Sequence, residues 1–218
     1  TIIKEFPFVI LASFVFWVIS HDIKFQYAAE NMLSRADGYI LLSLFAIFMY
    51  YLIEMAITSK DESVEDEIEE ISTSKSIIYS ILGIIGIIIG GQLVVNSASN
   101  IALSWGMSEN LVGLTIVSIG TSLPELVTSI VAARKGESDI AIGNAVGSNI
   151  FNLLLVLGLS SAIHSIAIHT EVFYDMIVMI FATILTYFFA ITKKSINRGE
   201  GAVLFVIYIA YLVYIIMR

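Results

Sequence analysis

Seven stretches of this chain are apolar enough to be candidates for crossing a lipid bilayer, and that pattern limits its fold more than any other. A spanning helix needs about 20 mostly apolar residues. Residues 6–20, 38–57, 77–95, 111–133, 140–163, 172–191 and 202–217 meet this requirement loosely. In hydrocarbon the backbone must satisfy its own hydrogen bonds, which runs of this length do as helices. The expected fold class is therefore all-α, a polytopic membrane helix bundle of about seven transmembrane helices. Mean hydropathy of +0.91 and a charged fraction of 14% agree with a chain that lies mostly in lipid. Membrane lipid is the first expected partner, and no nucleic acid is expected. The first segment is short and carries Pro7 in its first turn, where a missing N–H does little harm.

Lysine and arginine collect in cytoplasmic loops. Lys4, Lys60, Lys75, Arg134, Lys135, Lys193, Lys194 and Arg198 fall on one side of the bundle, and Lys24, Arg35 and Arg218 on the other. Eight against three puts the N-terminus and the loop between the second and third segments inside, with the C-terminus outside. The formal charge of -8 is mostly local, since seven of nineteen acids lie in DESVEDEIEE, residues 61–70. Clustered carboxylates suit hard cations. This run lacks the glycine and alternating ligands of a calcium loop, so it reads first as a solvated cytoplasmic linker over 58–76. The chain has no cysteine, which excludes disulfides and thiolate chemistry. His21, His164 and His169 sit near segment ends and read as interfacial. The opening TIIKEFPF shows no signal-peptide pattern and no initiator methionine.

The fourth segment raises a problem of energy. Its centre falls near Thr121 and Ser122, which puts Glu125 close to the bilayer midplane, where an acidic residue costs about 2.5–3.5 kcal/mol. Ser118, Ser122, Glu125 and Ser129 recur at helical spacing, with Thr121 and Thr128 beside them, so one face presents oxygens. Pro124 removes a backbone bond to Gly120, and a helix break is expected around 120–124. S-x-x-E at 122–125 also reads as a capping box, a purely structural role for Glu125. A glutamine would cap without the charge, so a cation site is the stronger reading. Broken helices that line a cavity supply hydroxyls, carbonyls and carboxylates, the hard oxygen ligands of Ca²⁺ and Na⁺.

The fifth segment carries GNAVGSNIFN, with Asn144, Ser148 and Asn152 every four residues and Asn149 adjacent. Gly143 and Gly147 would let another helix come close, and the amides would either bridge helices or bind an ion. In the third segment Gly83, Gly86, Gly90 and Gly91 predict a tight helix contact, with Gly86 and Gly90 as GxxxG. Gln92, Asn96, Ser97 and Asn100 make that segment's outer continuation polar. Calcium takes 6 to 8 oxygens and usually more than one carboxylate. The fourth and fifth segments place one at depth, so half of a site is missing.

GTSLPELVTSIVAARKGESDIAIGNAVGSNIFN, residues 120–152, resembles the second alpha-repeat of the sodium/calcium exchanger family, within the calcium/cation antiporter superfamily. The resemblance implies part of a ten-helix antiporter built from two inverted repeats. Residues 1–57 would be the last two helices of the first half, and 77–218 the second five-helix half, with its alpha-repeat at 111–163. It implies that Glu125 is the key carboxylate, that Thr121, Ser122 and Ser148 are oxygen ligands, and that the Ser118 carbonyl lines a sodium site. Asn144 and Asn149 join the candidate metal set. Asn152 belongs to it too, although some members of the family carry aspartate there. The third segment resembles the family's long mobile helix.

The function so implied is a secondary antiporter of the cell membrane that exchanges Ca²⁺ for Na⁺ by alternating access, with no organic cofactor. Proton-coupled or other cation exchange, and a non-transporting half or subunit, are the alternatives. The first repeat is absent from the sequence. The expected partner is thus an N-terminal segment or a second chain that carries it. No enzyme is expected, because Ser122 has no histidine or lysine at its depth to activate it. Broken helices around a midplane carboxylate favour a transporter over a channel.

Overall fold

The computed structural model describes residues 2–58, 72–193 and 195–217, and the acidic run at 61–70 lies outside them. In chain order the elements are α1 (Ile2–Ile19), α2 (Asp22–Gln26), β1 (Met32–Leu33), α3 (Arg35–Thr58) and α4 (Thr73–Ser104). Next come α5 (Glu109–Val112), a π-helical stretch (Gly113–Val117), α6 (Ser118–Thr121) and α7 (Leu123–Arg134). They are followed by α8 (Ser138–Ile150), a second π-helical stretch (Phe151–Val156), α9 (Leu157–Ile163), β2 (Ile166–Ala167), α10 (Thr170–Lys193) and α11 (Arg198–Met217). All seven apolar segments are helical. Five are long and apolar enough to span a membrane, a bent pair over 115–134 makes a sixth, and α1 is a shorter apolar helix. The helical membrane bundle expected from the hydropathy is thus the observed fold. Leu, Ile, Val and Phe side chains are exposed along these helices, as lipid-facing surfaces require.

Two details differ from expectation at this level. Because α1 begins at Ile2, Pro7 lies inside the helix and not in its first turn. At 32 residues α4 is far longer than residues 77–95, and at 1.5 Å per residue it extends about 48 Å. The polar run through Asn100 continues the helix because it contains no proline or internal breaker after Gly91. Gln92 and Asn96 pair one turn apart, Nε2 donating to Oδ1 at 2.9 Å.

The chain divides into two compact units, one of residues 1–63 and 136–201, the other of 64–135 and 202–218. The first is built around α1, α3, α8 to α9 and α10. On α1, Phe6, Val9, Ala12, Ser13 and Phe16 are buried, a spacing that gives one helical face. This face meets a core of Leu33, Leu41, Phe48, Ile150, Leu154 and Met176. Phe6 stacks on Tyr187, Phe8 on Phe48, and Phe45 meets Phe151 edge-on.

The tightest crossing in this unit is between α3 and α9. A Cβ on Gly38 would stand 2.5 Å from the Ala162 nitrogen, 2.7 Å from Ser161 Oγ and 2.8 Å from the Gly158 carbonyl oxygen. Gly158 itself packs on Leu41 and Leu42. The buried Ser161 hydroxyl donates back to the Leu157 carbonyl at 2.7 Å, so its own polar group is satisfied at the crossing.

One end of the unit is tied by backbone hydrogen bonds. β1 and β2 pair antiparallel, Met32 opposite Ala167 and Leu33 opposite Ile166. The Met32 N–H donates to Asp22 Oδ2 at 2.8 Å, and the Ile168 N–H to the Asn31 carbonyl at 3.0 Å. His21 lies here, Nδ1 2.6 Å from the Trp17 carbonyl, its ring 3.9 Å from that of Phe173. It occupies an aromatic contact at a helix end, as its position near a segment boundary predicts.

In the second unit, α4 packs along α5, the first π stretch, α6 and α7. The buried positions at this contact are Ala102, Val112, Thr115, Gly120 and Ala132. The expected glycine contact of α4 does not form, since among the described residues nothing lies within 4 Å of a Cβ at Gly83, Gly86, Gly90 or Gly91.

Candidate cation site

The fourth span breaks where Pro124 requires it. Ser122 stands between α6 and α7 at φ -94° and ψ 3°, outside the helical region, with Pro124 in the first turn of α7. The two parts meet at a bend of 50°. Proline has no N–H for the Gly120 carbonyl and crowds it. The chain therefore turns tightly there, the Ser122 N–H donating to the Ile119 carbonyl at 3.1 Å. It then restarts with the Leu126 N–H on the Ser122 carbonyl at 3.0 Å.

The oxygen stripe read from the sequence is real along this broken span. Thr121 Oγ1 donates to the Ser118 carbonyl at 2.9 Å, and Thr128 Oγ1 to the Pro124 carbonyl at 2.7 Å. A hydroxyl that donates backwards leaves its lone pairs facing outward, available to a cation. Ser118, Thr121 and Ser122 are exposed, whereas Glu125 and Ser129 are half-buried. Glu125 Oε2 is shielded from solvent.

The capping reading of Ser122 is not realised. Its side chain makes no cap hydrogen bond. Elsewhere the same chemistry does form. Ser34 Oγ donates to Asp37 Oδ2 at 2.6 Å, and the Ser34 N–H to the same oxygen at 2.8 Å. Asn197 and Glu200 exchange side-chain and backbone bonds at 2.8 and 2.9 Å. Reciprocal caps thus start α3 and α11, while the Ser122 hydroxyl is left for another use.

The second stripe lies on α8 and the π stretch that follows it. Asn144 and Ser148 are half-buried, and Asn149 and Asn152 exposed. Asn149 Nδ2 donates to the Ala145 carbonyl of its own helix at 3.0 Å, which turns its amide along the helix. Nothing lies within 4 Å of a Cβ at Gly143 or Gly147 among the described residues. Asn152 sits in the wider π turn, not in the regular four-residue repeat that its spacing predicts.

The structure thus brings Ser118, Thr121, Ser122 and Glu125 together on the broken span of one unit. It gathers Asn144, Ser148, Asn149 and Asn152 on one helix of the other. Among the described residues no group of three or more histidine or acidic side chains forms a metal cluster. Sequence reasoning missed Val95, which packs directly on the break. A methyl group at Gly120 would overlap Val95 Cγ2 and stand 3.2 Å from Val95 Cβ. No signal in the sequence separates Val95 from the apolar residues around it.

Comparison with known proteins follows the same residues. The family described as sodium/calcium exchanger protein matches residues 75–217. CaxA of Alkalimonas amylolytica is 34% identical over 224 residues, 97% of this chain and 67% of that protein. The sodium/calcium exchanger MaX1 of Methanosarcina acetivorans is 38% identical over 141 residues, 64% of this chain and 40% of that protein. The structure of the sodium-calcium exchanger NCX_Mj soaked with sodium and strontium superposes with a TM-score of 0.75 at 31% identity, over 97% of this chain and 65% of that one. The chain spans about two-thirds of CaxA and of NCX_Mj and less than half of MaX1.

Proposed function

Because the chain belongs to the sodium/calcium exchanger family, we propose that it is the cation-binding part of an antiporter exchanging Ca²⁺ against Na⁺ across the cell membrane. The observation that carries this reading is the 50° break of the fourth span, inside the run that holds Ser118, Thr121, Ser122 and Glu125, with the Thr121 hydroxyl donating to the Ser118 carbonyl at 2.9 Å. In this reading Glu125 supplies the charge and Thr121, Ser122 and Ser148 supply neutral oxygens. The Ser118 carbonyl lines a sodium position, and Asn144, Asn149 and Asn152 complete the second stripe. The ions are cargo and not resident cofactors. Alternating access would move the site from one face to the other.

The exposure of Thr121 and Ser122 in one unit, and of Asn149 and Asn152 in the other, favours a further segment or chain over each of these polar stretches, since such groups are costly against lipid. The partner that supplies the remaining carboxylate is a first repeat of like sequence. In this reading the acidic run faces the cytoplasm and the C-terminus the outside, an orientation that the distribution of basic residues supports.

The test is sodium-driven ⁴⁵Ca²⁺ uptake into vesicles that hold the full-length protein. Glu125→Gln should abolish uptake while leaving the protein folded and inserted. Uptake at the wild-type rate would overturn the assignment. Uptake driven by a proton gradient without sodium would replace Na⁺ by H⁺ as the coupling ion.

A further inference from the structure

Resting on the cation-site reading above, we infer that Val95 is a positioning residue for that site, its γ-methyl filling the notch at Gly120 and holding the break of the fourth span from the side. Pro124 cannot donate to Gly120, so the turn from Gly120 to Pro124 is held by the Ser122 bond to Ile119 and the Leu126 bond to Ser122. Gly120 is buried, and what fills the space beside it is Val95 of α4.

Three features make this contact a fixed seat and not incidental packing. Valine is β-branched, and in a helix one rotamer dominates, so its methyls cannot easily swing aside. The contact also lies beside a buried stretch of α4: among the described residues a Cβ at Gly83, Gly86, Gly90 or Gly91 would meet nothing within 4 Å, whereas beyond Val95 the Ser99 hydroxyl oxygen and Ala102 are buried. Finally, Gly120 lies between the Ser118 carbonyl and the Thr121 hydroxyl that hydrogen-bond at 2.9 Å. Any sideways shift of Gly120 is handed to Thr121 and Ser122, the next residues along the chain. Val95 therefore acts on the ligands through Gly120 and touches no ion itself.

The prediction is a compensating pair. Val95→Ala leaves a void beside the break, and Gly120→Ala forces a methyl into Val95. In the double variant the new methyl occupies the volume that the valine gives up. Coupled neighbours of this kind depart from additivity, so each single variant of the full-length protein should bind Ca²⁺ about tenfold more weakly, the double recovering to within about threefold of wild type. The maximum ⁴⁵Ca²⁺ flux should change less than the half-saturating concentration. Hydrogen exchange gives a readout independent of binding: Val95→Ala should speed exchange at the amides of Ser122, Leu123, Glu125 and Leu126 and leave α10 unchanged. Additive losses in the double variant, or unchanged exchange at 122–126, would overturn the role of Val95. If the wild-type protein binds no Ca²⁺ while the exchange at 122–126 still responds to Val95→Ala, the seat stands and the cation reading fails.

Discussion

At Ser122 a single hydroxyl has two possible employments, holding the start of α7 or facing an ion, and in the structure it does not perform the first. The residue precedes a helix and has the sequence of a cap, yet its side chain makes no cap bond. Where a serine or asparagine does cap, removing it costs about 1 kcal/mol. Ser122→Ala should therefore change thermal stability by less than about 0.5 kcal/mol, the usual range for substitutions outside such features. Its effect should fall on ion affinity. A loss of stability as large as that of Ser34→Ala, measured side by side by thermal unfolding in detergent, would return Ser122 to the capping role. Glu125, Thr121 and Ser118 were legible in the sequence because a carboxylate and hydroxyls at one helical spacing have no cheap reason to sit at membrane depth. Val95 was not, because its importance lies in what Gly120 lacks, and an absent methyl group leaves no periodic trace.

Among the elements, the helices themselves follow from run length, and the break follows from Pro124. Their pairing does not. Gly86 and Gly90 have the spacing of a close helix contact, yet the close crossing runs through Gly38 and Gly158, which have no such spacing between them. Small residues show where helices could approach, not which partner arrives. Gly38→Ala tests the observed crossing. The added methyl would press on backbone atoms of Ala162 and Gly158, which cannot rotate away as a flexible side-chain tip would. The cost should be about 1–3 kcal/mol, the range for overpacked interiors. Gly86→Ala should cost almost nothing in the same unfolding measurement. The two-residue strands also escaped the sequence, since β1 and β2 are too short to show any alternation.

For the whole molecule, the hydropathy and the distribution of basic residues together predict a sidedness that can be measured directly. These 218 residues hold no cysteine, so an introduced thiol is the sole one among them. A cysteine in place of Ser138, next to the basic run at Arg134 and Lys135, should react with a membrane-impermeant maleimide only after the membrane is opened. One in place of Tyr27, which is 93% exposed, should react in intact cells. The reverse pattern would invert the proposed topology. The small ladder joining residues 32–33 to 166–167 has a consequence for recognition from this side. Two connections more than 130 residues apart in sequence present one composite surface, held by Asp22 and Asn31. An antibody selected on the folded protein would read both connections at once, and neither peptide alone would compete with it.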